Sequence, residues 1–151
     1  MMYRLWRVGV ILTPAIALHA CDLGPLEDGE RLRLLNEAEA RWSGSGIRSY
    51  NVQYTVSCFC RYRGAIDLTV VNGVIVRAHV RSESADAPPD NFKAIDSLFA
   101  FVRRELRDDP THLRVTFDRV LGYPREIDWG TPENDAGGYI GADSLVPVMI
   151  R

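Results

Sequence analysis

The 151-residue chain has no surplus of basic residues: 18 lysines and arginines stand against 20 acids, and lysine itself occurs only at Lys93. Nothing in that balance recruits nucleic acid. The chain also lacks an unbroken apolar run of the roughly 20 residues that a membrane-crossing helix needs. It has no G-x-S-x-G, no glycine-rich phosphate loop behind a strand, no C-x-x-C pair and no EF-hand spacing. Hydrolase, nucleotide, thioredoxin-like and EF-hand chemistry therefore have no motif to rest on. No internal repeat is visible, and 46% apolar with 25% charged residues fits one ordinary globular domain.

What the sequence does have begins at its N-terminus. Arg4 and Arg7 precede an apolar stretch from Val8 to Ala20, broken by Thr13, Pro14 and His19, and Cys21 follows. A basic start, a short apolar run and a small residue before a cut predict a removed signal peptide over 1–20. Leu18-His19-Ala20-Cys21 resembles the bacterial lipobox, with His19 where that motif usually has a smaller residue. The resemblance implies cleavage before Cys21 and lipid on its sulfur, holding the protein outside the cytoplasm by an N-terminal anchor. Asp22, next in line, resembles a retention signal for the inner membrane. Loss of Arg4 and Arg7 lowers the basic count from 18 to 16 against 20 acids, a net charge near minus four.

Residues 21–28 read as a tether and 29–151 as one α+β domain. Glu30 to Trp42 places Leu32, Leu35, Ala38 and Trp42 at helical intervals with Asp28 as the N-cap, and "SGSG" at 43–46 ends the helix. From Tyr50 the period becomes two, with Tyr50, Val52, Tyr54 and Val56 on one face. Ala65 to Val71 and Val74 to Val80 flank Asn72-Gly73 as a hairpin. A two-residue turn would set Leu68 against Arg77, so a three-residue loop that pairs Leu68 with Val76 is preferred.

Asp90 or Asn91 caps the strongest helix, whose stripe is Phe92, Ile95, Leu98, Phe99, Val102 and Leu106, and Asp108-Asp109-Pro110 stops it. Strands follow at Leu113 to Phe117, Arg125 to Trp129 and Leu145 to Ile150, the last placed at an edge by Pro147, with residues 130–143 as a loop. The expected architecture is an antiparallel sheet, a meander of three strands, then a helix, then two or three strands, with the helices packed on one face.

These pieces, including "SCFC", "LTVVNGVIV", "AIDSLFAFV" and "LRVTFDRVLGYPREI", resemble a family of small bacterial secreted proteins and lipoproteins known as domain of unknown function 6174. The resemblance runs from about Ile47 to Met149 and rests most on the C-x-C and G-Y-P elements. It implies location and architecture, and brings no activity, ligand, cofactor or catalytic residue.

With Cys21 assigned to lipid, Cys58 and Cys60 remain as an even pair in a compartment that permits disulfides. Strand parity points both sulfurs toward the core. Residues two apart in a straight strand are about 6.6 Å apart. A bridge therefore demands a kink at Phe59. Thiol redox chemistry is the alternative, since Arg61 and Arg63 would stabilise a thiolate. A metal site would need His79 or His112 to converge on the sulfurs, whereas alternation puts His79 on the polar face. Asp118, Asp128, Glu133, Asp135 and Asp143 offer oxygens for calcium without a recognised spacing, and no cofactor or metal is expected. Tyr50, Tyr54, Phe99, Phe101 and Trp129 read as core or core edge. The expected function is a membrane-tethered, non-catalytic module that binds an envelope protein or a small ligand.

Overall fold

A computed structural model describes residues 27–108, 110–130 and 137–148. The leader, the lipobox with Cys21 and Asp22, and the acidic Glu133 and Asp135 lie outside the described residues.

Helix α1 spans Asp28–Gly44 and carries Asp28 and Glu30 in its first turn, where carboxylates favour the positive end of the helix. Glu27, not Asp28, occupies the N-cap position, and no side chain caps it. The buried stripe is Arg31, Leu35, Ala38 and Trp42. Leu32, expected in that stripe, is 42% exposed. Steps of four, three and four residues keep 31, 35, 38 and 42 in line, and residue 32 lies about 100° round the helix from residue 31. Arg31 is accommodated because its guanidinium donates to the Leu113 carbonyl at 2.6 Å.

Helix α2 spans Ile95–Asp108 and buries Ile95, Leu98, Phe99, Phe101, Val102 and Leu106. Phe92 precedes it, just after a short 3-10 turn over Pro89–Asn91, so the helix begins later than the Asp90 or Asn91 cap implies. No helix among the described residues is long and apolar enough to cross a membrane.

Seven strands form one antiparallel sheet: β1 Tyr50–Cys58, β2 Gly64–Val71, β3 Val74–Val80, β4 Ala85–Asp86, β5 Arg114–Phe117, β6 Pro124–Trp129 and β7 Gly138–Pro147. Their order is β4-β3-β2-β1-β7-β6-β5. This corrects the expected strand order of a three-strand meander, then a helix, then two or three strands: short β4 extends one edge, and β7 returns to lie between β1 and β6. Residues 138–143, taken from sequence as loop, are strand, and β7 is interior rather than an edge. Pro147 is tolerated because it ends the strand opposite Tyr50, after which Val148 N–H donates to Ser49 O at 2.9 Å.

The β2–β3 hairpin also differs from expectation. Asn72 and Gly73 form a two-residue turn with φ of 51° and 82°, the positive values of a type I′ turn. A bulge then leaves Val76 without a partner, with Thr69 opposite Arg77 and Val70 opposite Ile75. Leu68 thus meets Ala78 and Ile66 meets Val80. The bulge, not a longer loop, moves Arg77 off the core face, and Val76 is left 54% exposed.

Tyr50, Val52 and Tyr54 of β1 join Ile66, Leu68 and Val70 of β2 in one core with both helices. On the opposite face Arg81 pairs with Asp67, and Asp86 pairs with both Arg77 and His79.

Candidate functional site

The chain turns sharply where β1 ends. Cys58 closes the strand, a disulfide joins it to Cys60 with a Cα–Cα distance of 5.2 Å, and Phe59 between them is 85% exposed. The kink at Phe59 is therefore present. The sulfurs do not reach the core: Cys58, the last residue of β1 and opposite Gly138, is half-buried at the end of the ladder, and Cys60, beyond the strand, is exposed.

Beside this turn lies a cleft of about 200 Å³. Cys58 and Cys60 border it, with Tyr54 and Val56 of β1, Tyr62 of the turn, Phe92 before α2, Phe101 of α2, Trp129 of β6 and Ile140 of β7. Two ring pairs shape it. Tyr62 and Phe92 lie 5.8 Å apart, and Phe101 meets Trp129 edge-on at 5.0 Å. Gly138 leaves room for the indole, since a Cβ there would come within 2.7 Å of the Trp129 ring. A side chain on β7 at that point would displace the wall.

Lys93 and Arg61 supply the charge among the described lining residues, and both are positive. The Lys93 ammonium sits 5.6 Å from the Phe101 ring centre, and the Arg104 guanidinium 5.1 Å from the same ring. The Tyr54 hydroxyl donates to the Lys93 carbonyl at 3.0 Å. Burial pushes this phenol well above its ordinary pKa, so it stays protonated and its proton stays committed to that bond. Tyr50 lies deeper, accepting from Ile95 N–H at 2.9 Å, and burial raises its pKa to about 12.

Among the described lining residues there is no carboxylate, histidine or hydroxyl nucleophile with a base. The arrangement can hold a flat apolar group against aromatic walls. All five aromatic residues expected as core or core edge are there, with Trp129 at the edge, and Tyr54, Phe101 and Trp129 also line the cleft. Tyr62 and Phe92 were missed as site residues, because Tyr62 sits in a turn with no period to mark a face and the helical period assigned Phe92 to the core stripe of α2.

The other candidate ligands are dispersed. His79 Nδ1 meets Asp86 at 2.8 Å on the polar sheet face, and His112 ends the short turn Pro110–His112. Asp118 Oδ1 accepts from the N–H groups of Val120 and Leu121, and Asp143 accepts from the Thr55 hydroxyl at 2.8 Å. Asp128 lies exposed on β6. The described residues contain no cluster of three or more histidine, cysteine or acidic side chains able to hold a metal ion.

A protein-family model described as Family of unknown function (DUF6174) matches residues 34–140, a span that contains every lining residue of the cleft. No curated protein and no solved structure matches the chain.

Proposed function

The chain belongs to the Family of unknown function (DUF6174), and from that premise we propose that it is a non-catalytic binding module of the bacterial cell envelope. In this reading lipid on Cys21 tethers it to a membrane, and a small apolar ligand occupies the cleft at the end of β1. The observation that carries the binding role is the aromatic cleft itself, which brings rings from five separate segments together without a nucleophile or general base among its described residues. The tether is supported by the basic start, the short apolar run and the lipobox-like Leu18-His19-Ala20-Cys21.

Intact-mass analysis of protein extracted from membranes, with thiol alkylation before and after reduction, tests the proposal. A mature N-terminus at diacylated Cys21 with two alkylatable thiols appearing only after reduction is the expected result. A mature chain that starts anywhere else would sink the anchor. A second reading, extracytoplasmic thiol redox chemistry at Cys58 and Cys60, draws on the exposure of Cys60 and its neighbours Arg61 and Arg63. Facile, reversible reduction of the pair by a mild thiol buffer would favour that reading over a structural bridge.

A further inference from the structure

Five arginines elsewhere among the described residues are matched with acids. Arg33 pairs with Glu30 and Glu37, Arg77 with Asp86, Arg81 with Asp67, Arg103 with Glu39 and Arg104 with Glu105. What marks the cleft is its lining: two cations, Arg61 and Lys93, that form no ion pair among the described residues, and no described carboxylate. Lys93 is also the chain's single lysine, and it stands over the ring of Phe101. An ammonium held at the edge of an apolar, ring-walled cleft attracts an anion more strongly than one in open water. The cleft volume of about 200 Å³ suits one small ring system rather than an extended chain.

We propose that the cleft takes a small aromatic carboxylate, its ring against Phe101 and Trp129 and its carboxylate toward Lys93 and Arg61. The proposal rests on the reading of the cleft as a binding site. The two aromatic pairs supply edge and face contacts for a flat apolar body. The unpaired cations select the charge of its polar end. The Tyr54 hydroxyl, committed to the Lys93 carbonyl, holds the backbone of that lysine in place and does not compete for the ligand.

The test titrates the disulfide-intact mature chain with naphthoate, naphthylmethanol and naphthylmethylammonium, reading affinity by calorimetry and position by the indole N–H resonances of Trp129 and Trp42. Naphthoate is expected to bind about tenfold tighter than the alcohol, the ammonium weakest, with added salt narrowing the gap. The Trp129 resonance should move and that of buried Trp42 should not. Lys93→Gln, at an exposed position, should keep the fold and the alcohol's affinity while abolishing most of the preference for naphthoate, and Lys93→Arg should restore it. If the alcohol binds as tightly as naphthoate, or if Lys93→Gln leaves the preference intact, the carboxylate assignment fails and the cleft remains a neutral apolar site. If none of the three probes moves the Trp129 resonance, the binding site itself is overturned and the carboxylate falls with it.

Discussion

Gly122 shows how tightly single atoms constrain this molecule. Its φ is +81°, and a Cβ there would lie 2.3 Å from the carbonyl oxygen of Ala38 in α1. A side chain would have to adopt a left-handed backbone and push into helix α1 at once. Gly122→Ala is expected to cost at least about 2 kcal/mol, read as a lowered urea midpoint at unchanged slope. Tyr123, next along, packs edge-on against Trp42 at 6.1 Å, and Pro124 opens β6. The G-Y-P element is thus the clamp between sheet and helix α1. At Gly138 the nearest atoms are those of the Trp129 indole, at 2.7 and 2.8 Å, with the Ser57 carbonyl oxygen at 3.0 Å, so the indole is the part that must give way. Gly138→Ala should leave the protein folded, move the Trp129 indole N–H resonance and weaken naphthoate several-fold.

At the scale of elements, legibility followed periodicity. The stripe on α2 and the alternation of Tyr50, Val52 and Tyr54 were visible because one face of each is buried by a single regular period. Strand β7 hid because Gly138 and Gly141 replace side chains where aromatic rings lie against the strand, and because a bulge at Asp143, between the pairs Gln53–Ser144 and Tyr54–Ala142, breaks its parity. The hairpin register was misjudged for a related reason: a bulge changes parity without changing loop length. The cleft was illegible since its rings come from two strands, a turn, the approach to a helix and the helix itself. The cysteine pair could be read, apart from its burial. Its bridge encloses so short a loop that replacing both cysteines by serine should lower stability by no more than about 1.6 kcal/mol. Hydrogen exchange should then quicken from Cys58 to Gly64, while the amides of α2 keep their protection.

For the whole molecule, the acid limb of stability is set in part by the uncovered sheet face. Arg81 holds the Asp67 carboxyl below the usual range, and Arg77 with His79 does the same for Asp86. A carboxyl whose folded pKa is depressed contributes fully above the unfolded value near about 3.9, and that contribution is lost as pH falls through the folded value. Asp67→Asn should therefore be less stable than the parent at neutral pH, with the difference closing as urea midpoints are followed from about pH 7 to about pH 2. A constant difference across that range would assign the effect to packing instead. High salt should narrow the neutral-pH difference, because both partners are exposed.

The seam between β1 and β7 also governs when the fold can exist. Thr55 and Asp143, bonded across it, are 88 residues apart in sequence, and it joins β4-β3-β2-β1 to β7-β6-β5. A chain that is still being made holds two incomplete half-sheets until Gly138–Pro147 arrives. Completion is a late, long-loop closure, and the wall that Trp129 and Ile140 give the cleft comes with it. Ligand capture should accordingly be silent in chains ending before β7, which makes binding a reporter of finished synthesis as much as of affinity.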